Sequence, residues 1–281
     1  MRTLFVILCV ALSALPAAAQ SRIGNAWSDV KNGLRDVAFV WTSPFRLGRD
    51  DLGALGLVAG VTGAAFALDH DVQSWLGEHR SSLPVKAVGP FREGRPGEEL
   101  GDIWLLIRGS GVLWVAGLAV QSETLRDVAV GCASAGVAQT FARGVVLYNL
   151  VQRTRPVWTT DPFEFDVPGS KVWEKRSFIS GHAANAMTCV AFLNERFELG
   201  LVEPVLYAAA LGVGAGRIVD EAHWSSDTAL GLLFGYAVGR AVAQRQKKRA
   251  NEHFPAVEPT SGFMIENFPD GRTALGWRVR F

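Results

Sequence analysis

Gly216-Arg217-Ile218-Val219-Asp220-Glu221-Ala222-His223-Trp224-Ser225-Ser226-Asp227 places a cation, an imidazole six residues on, and a carboxylate four residues further. With a helix running from Trp224, His223 and Asp227 stand at i and i+4 on one face. There the carboxylate accepts the Nδ1 proton of His223, fixes its tautomer and leaves Nε2 free as nucleophile or base. Arg217 brings a fork of donors suited to phosphate oxygens. Taken alone, the spacing fits better a helix start capped by Ser225 or Ser226 with a merely packed histidine, since such spacing is common by chance.

Two upstream pieces change that balance. Phe178-Ile179-Ser180-Gly181-His182 enters an apolar run, and Arg153-Thr154-Arg155-Pro156 leaves one. A helix starting at Ser180-Gly181-His182 points unpaired N–H groups and a dipole at an anion. In order, Arg-Pro, Ser-Gly-His and Arg-x5-His-x3-Asp form a three-part signature. On these residues, from about Tyr148 to Asp227, the chain resembles the type 2 phosphatidic acid phosphatase and vanadium haloperoxidase superfamily.

The resemblance implies an all-α, multi-helix bundle and a metal-independent hydrolysis of phosphomonoesters or pyrophosphates, lipid phosphates among them. It implies that His223 attacks phosphorus to form a phosphohistidine, with Asp227 orienting it. His182 would protonate the leaving oxygen and then activate water. Arg155, Ser180, Gly181 and Arg217 would bind the phosphoryl oxygens. No cofactor and no metal is implied, since arginines converging on His182, His223 and Asp227 repel a divalent cation. An ordinary histidine pKa of about 6.5 lets one imidazole be neutral and the other protonated near neutrality.

Three positions depart from the family pattern. The family's Lys seven residues before the Arg of Arg-Pro is Tyr148 here, its Pro before Ser-Gly-His is Ile179, and its Ser before Arg217 is Gly216. Loss of the Lys weakens phosphate binding on the scale of one or two charge-assisted hydrogen bonds. Arg153, Arg143 and Lys175 are the candidate replacements. The same departure keeps open a catalytically weak phosphate-binding protein. The shared pocket keeps open a vanadate-dependent haloperoxidase.

The rest of the chain frames this site. At 281 residues it holds ample apolar content for a large core. A formal net charge of +1 argues against nucleic-acid binding. Arg2, the apolar run Leu4 to Leu15 and Ala17-Ala18-Ala19 read as a signal peptide over residues 1–19, so the expected location is exported and periplasmic. The expected domains are a helical one over 20–253 and a tail over 254–281. Ile23, Trp27, Val30, Leu34, Val37 and Trp41 recur at helical spacing, reading as a helix that caps the core or lies on a membrane surface.

Leu52 to Leu68 is uncharged and threaded with Gly53, Gly56, Gly60 and Gly63, small residues that let helices approach closely. Glu78 to Asp102 reads as a long surface loop. Further helices are expected over 103–120, 127–151, 182–197, 204–216 and 227–249, the last with Gly231, Gly235 and Gly239 on one stripe. The aromatic segment Thr154 to Ser177 joins two site pieces and lies beside the pocket, as a lid for an acyl or isoprenoid chain or as a self-anchored loop. Cys132 and Cys189, within apolar helices, read as buried free thiols. The tail reads as a β-hairpin, Gly262 to Phe268 and Thr273 to Phe281 about a Pro269-Asp270-Gly271 turn. Uncharged runs are short and mean hydropathy is only +0.17, favouring a periplasmic domain that rests on a membrane over one with six spans. A phosphorylated small molecule or lipid is the expected partner.

Overall fold

A computed structural model describes residues 17–169, 175–253, 262–267 and 273–278. The signal-peptide core, the 170–174 end of the aromatic loop and the Pro269-Asp270-Gly271 turn lie outside the described residues. The chain forms two units, to Gln246 and from Lys247 onward. In the second, Gly262–Asn267 pairs antiparallel with Thr273–Arg278, Gly262 opposite Arg278 and Asn267 opposite Thr273.

The first unit is helical, as expected. Its long helices are α1 (Ala17–Thr42), α2 (Leu52–Ala67), α3 (Asp69–Glu78), α5 (Ile103–Ala119), α6 (Glu123–Phe141), α7 (Gly181–Phe197), α8 (Glu203–Val219) and α9 (Ser225–His253), with a short α4 (Leu83–Ala87) between α3 and α5. Asp102 and Ser122 cap α5 and α6 by accepting from the backbone N–H groups of Leu105 and Leu125. Past Phe141, α6 continues as a π-helical turn, Ala142–Leu147, and one last turn, Tyr148–Leu150. The segment expected as a loop from Glu78 to Asp102 instead contains α4 and two 3-10 turns. Its end is drawn inward, where Asn185 Nδ2 donates to Gly101 O at 2.9 Å.

The core lies where α1, α6, α7 and α9 meet, around Val40, Ala135, Ala138, Phe192, Val238 and Val242. The glycine stripe of α9 makes this possible. A Cβ at Gly231, Gly235 or Gly239 would stand 2.6, 2.3 and 2.1 Å from the carbonyl oxygens of Ser180, Ala184 and Thr188 on α7. Gly131 of α6 likewise leaves room for the Phe192 ring. There α6 and α7 come close enough for Cys132 and Cys189 to form a disulfide, which corrects the expectation of free thiols. Fifty-seven residues separate them, so only the helix crossing reveals the pair.

The outside is as informative as the core. No residue of α2 is buried, and its glycines at 53, 56, 60 and 63 have nothing within 4 Å of an added Cβ. The close approach expected of that stripe is therefore not made among the described residues. On α1 the polarity is inverted. Trp27 and Leu34 of the apolar stripe are each 66% exposed, while Asp36 is fully buried and accepts from Arg245 Nε at 2.9 Å. Asp29 accepts from Trp114 Nε1 and Arg126. Such a helix turns carboxylates to protein and hydrocarbon outward, the opposite of a helix facing water. Among the described residues, three helical stretches are long and apolar enough to cross a membrane: Arg49–Ala67, Glu123–Leu150 and Gly200–Val219.

The contrast between the two glycine stripes is measurable. Gly239→Ala drives a methyl into the Thr188 carbonyl and costs about 1–3 kcal/mol, lowering the melting temperature of detergent-solubilised protein by roughly 2–4 °C per kcal/mol. Gly60→Ala meets nothing, and with alanine's helix preference of about 1 kcal/mol it leaves the melting temperature unchanged or higher.

Candidate active site

The two halves of the signature meet because helix ends meet. The last turns of α6 and α8 and the first turns of α7 and α9 all lie at one end of the helical layer. The strand pair Gln152–Arg153 and Phe165–Asp166, with a bridge between Thr154 and Arg176, pulls the aromatic segment across that end. Ser177 N then donates to Arg153 O at 2.8 Å, and Ser180 N donates to Asp227 O at 3.0 Å.

Arg153 is the hub. It is 1% exposed, and every edge of its guanidinium is engaged. Nε donates to Pro162 O at 2.9 Å, Nη1 to Ser226 Oγ at 2.7 Å and Asp227 Oδ1 at 2.9 Å, and Nη2 to Asp69 Oδ2 at 2.7 Å. The Trp224 and Phe66 rings lie against it at 5.1 and 4.5 Å. With all three of its nitrogens bonded to protein and its charge shared by two buried carboxylates, Arg153 is a structural cation and a poor substitute for the missing Lys. Asp69, read from sequence only as the boundary of an apolar run, also accepts from Ser226 N at 2.9 Å and Ser226 Oγ at 2.6 Å. No local signal marks it, because all of these partners lie more than eighty residues away.

His223 is buried, and its Nδ1 lies 2.6 Å from the carbonyl oxygen of Ser177. A carbonyl only accepts, so Nδ1 carries the proton and Nε2 keeps its lone pair. The partner expected for Nδ1, Asp227, is occupied elsewhere. It accepts from Arg153 and from the Ser177 hydroxyl, and it turns back toward Trp224 N at 3.4 Å. The reason is that α9 begins at Ser225, so His223 precedes the helix and the i, i+4 geometry does not apply. Asp227 reaches the imidazole indirectly, by fixing Ser177, whose own carbonyl orients the ring. Burial holds the His223 pKa well below its ordinary value, assisted by Arg155, His182 and Arg143 and opposed by the bond to Ser177. Burial pushes the Asp227 carboxyl up, against the pull of Arg153 and Ser177.

His182 sits in the first turn of α7 and is more open. Its pKa is lowered by burial and by Arg217, with Glu98 pulling the other way from 3.6 Å. The expectation of one neutral and one protonated imidazole therefore changes: both are biased to the neutral form. Glu98 is a second residue missed by sequence reading. It accepts from Arg217 Nη1 at 2.7 Å, while Asp220 accepts from Arg217 Nη2 at 2.9 Å. Arg155 donates from Nε to Arg176 O at 2.9 Å and is close enough to depress His223. Lys175 lies over the Trp158 ring at 5.3 Å.

Polar atoms are left over around this space. Among the described residues, Ser180 Oγ, Arg143 Nε and Arg217 Nε are buried with no hydrogen-bond partner. The N–H groups of residues 181–183 precede the first intrahelical bond of α7, from Ala184 N to Ser180 O at 3.2 Å. Donors without acceptors, at a helix N-terminus between two neutral imidazoles, are arranged for an anion rich in oxygen. No group of three or more His, Cys, Asp or Glu side chains that could hold a metal ion occurs among the described residues.

The buried ion triad has a consequence distinct from chemistry. Arg153→Met strands Asp69 and Asp227 without their cation and destabilises the protein by about 3–5 kcal/mol. A fall in denaturation midpoint measured on purified protein checks this. Arg153→Met at the wild-type midpoint would show that the triad carries no weight.

No curated protein and no solved structure matches the chain. The model of the PAP2 superfamily matches residues 125–251, the stretch that contains Tyr148, both imidazoles, Arg155, Arg217 and Asp227. Over that stretch the chain is similar to the PAP2 superfamily, the type 2 phosphatidic acid phosphatases and their relatives.

Proposed function

We propose that this chain is an exported, membrane-associated phosphatase that hydrolyses the phosphomonoester or pyrophosphate of a lipid through a phosphohistidine. One observation carries the reading: His223 is held neutral, its Nδ1–H spent on the Ser177 carbonyl, with Nε2 left as a lone-pair donor beside cations. Nε2 attacks phosphorus, the ester P–O bond breaks, and the leaving oxygen takes a proton from His182. A water then gives its proton to His182 and attacks the phosphohistidine, breaking the P–N bond and releasing inorganic phosphate. Arg155, Ser180, Gly181 and Arg217 hold the phosphoryl oxygens as charge shifts onto them.

A lipid is favoured by what surrounds the site. Trp158 is 60% and Phe163 64% exposed on the aromatic loop, and Phe163 and Phe165 stack on Phe66 at the end of the bare apolar helix α2. The same loop touches the site, since Val157 N donates to Glu221 O at 3.1 Å and Trp224 Nε1 to Thr154 O at 2.8 Å. An acyl or isoprenoid chain thus has an apolar path to the imidazoles. The Cys132–Cys189 disulfide fits an oxidising compartment outside the cytoplasm.

The test is phosphate release from phosphatidate, isoprenyl pyrophosphate, lipid A and p-nitrophenyl phosphate, with EDTA present throughout. At least one lipid substrate is expected to exceed p-nitrophenyl phosphate in kcat/KM, and His223→Ala to lose roughly a thousandfold or more. Activity surviving His223→Ala removes the mechanism.

The pH profile has a definite sign. Protonation of Nε2 abolishes attack, and because the His223 pKa is depressed, that loss sets in only below the ordinary value of about 6.5. The acid, His182, is also lowered and carries its proton in the free enzyme only on the acid side. The optimum of kcat/KM therefore falls below pH ~6.5; an alkaline optimum contradicts the assignment.

A further inference from the structure

Arg143 is 91% buried as the complement of its 9% exposure, yet no hydrogen bond or ion pair satisfies its Nε among the described residues. Its guanidinium lies flat against the first turn of α7. A Cβ built on Gly181 would stand 2.8 Å from Cζ, 2.9 Å from Nη2 and 3.1 Å from Nη1. Only glycine at 181 leaves space for it. The same charge reaches both imidazoles, acting after Arg155 on His223 and after Arg217 on His182. Arg143 therefore faces the space between the two rings, beside the unpaired N–H groups of α7.

The local backbone explains how it gets there. Ala142–Leu147 is a π-helical turn, in which residues five apart stand nearly one above the other. Arg143 accordingly lies over the Tyr148 ring, 5.2 Å from its centroid. Tyr148 itself is buried, and its one hydroxyl proton goes to Arg176 O at 3.0 Å. It supports the guanidinium from below and cannot also donate to an anion. A buried cation with unspent donors, aimed at a helix N-terminus, requires a negatively charged ligand.

We propose that Arg143 binds the phosphoryl group directly, donating to its oxygens from the π-helical turn and filling the role left open by tyrosine at position 148. The assignment rests on the phosphatase reading for its context, but it concerns anion binding and is testable without turnover. Inorganic phosphate is titrated calorimetrically into the full-length protein in detergent, as wild type, Arg143→Gln and Arg143→Lys, with melting curves for each. Arg143→Gln is expected to lose roughly ten- to a hundredfold in phosphate affinity at an unchanged melting temperature. Arg143→Lys keeps the charge without the planar fork and falls between the two. Millimolar guanidinium restores part of the affinity of Arg143→Ala, which a purely structural role would not allow.

Wild-type affinity in Arg143→Gln overturns the assignment and leaves the phosphatase reading standing. Where Arg143→Gln does not fold, Arg143→Lys decides by itself, and affinity equal to wild type overturns the assignment. Phosphate binding that depends on Arg143 in a protein hydrolysing none of the esters supports Arg143 and removes the phosphatase. A wild type that does not bind phosphate at all removes both.

Discussion

The contact between Arg153 and its two carboxylates ties together three segments that are far apart in the chain. Asp69 comes from the junction of α2 and α3, Asp227 from the first turn of α9, and Arg153 from the short strand that leaves α6. Two carboxylates and one guanidinium out of water carry a large desolvation cost, offset only because nearly every lone pair and proton finds a partner. Ser226 answers both sides of the triad, accepting from Arg153 and donating to Asp69. The arrangement does more than hold. With Asp227 fixed by Arg153, the Ser177 hydroxyl is fixed by Asp227, and the Ser177 carbonyl in turn selects the tautomer of His223. The reactivity of one nitrogen thus depends on a salt bridge three groups away.

That chain of dependence separates what could be read from the linear sequence from what could not. Helices α5 to α9 were legible because their apolar runs are long and their starts carry caps or small residues. The Gly231, Gly235, Gly239 stripe was legible because an i, i+4 glycine repeat has one physical use, close helix packing, and α7 supplies the partner. Ser180, Gly181, His182, Arg217 and His223 could be named from the sequence as an ordered set, and their roles stand as proposed above. The residues missed, Asp69 and Glu98, share a property: each is a carboxylate whose charged partners are over eighty residues distant, in stretches that look like boundaries or loops. Asp227 shows a subtler limit. Its spacing from His223 was read correctly, but the direct bond inferred from it requires His223 to be helical, and the helix starts two residues later.

Charge around the imidazoles tells which groups are structural and which are available. Of the arginines near the site, Arg153 has all three nitrogens committed to protein acceptors. Arg217 has two edges on carboxylates and a buried Nε without a partner, and Arg155 is held by a carbonyl through Nε. Glu98 lies between Arg217 and His182, so an incoming oxyanion meets a carboxylate already neutralised by its neighbours. Both histidines are depressed while the site is without an anion. A dianion brought between them reverses that bias, since it favours the imidazolium wherever an arginine disfavours it. On the mechanism proposed above, that reversal is what would let His182 hold the proton for the leaving group, whereas His223, wholly buried, carries the stronger bias toward its neutral form.

The surface extends the same physics outward. α1 turns Asp29 and Asp36 toward protein and Trp27 and Leu34 away from it, and α2 is apolar on every side with no residue buried. In water this would expose a broad hydrocarbon face with nothing to compensate. In a bilayer it is the low-energy arrangement, because the hydrocarbon neighbours lipid and the carboxylates find Arg126 and Arg245. The site lies at the end of the helices, where bare apolar surface gives way to Arg, Glu and Asp. On the lipid reading proposed above, a phosphate esterified to a chain in the membrane would sit at that same level, its anionic head among donors and its tail against Phe66, Phe163 and Trp158.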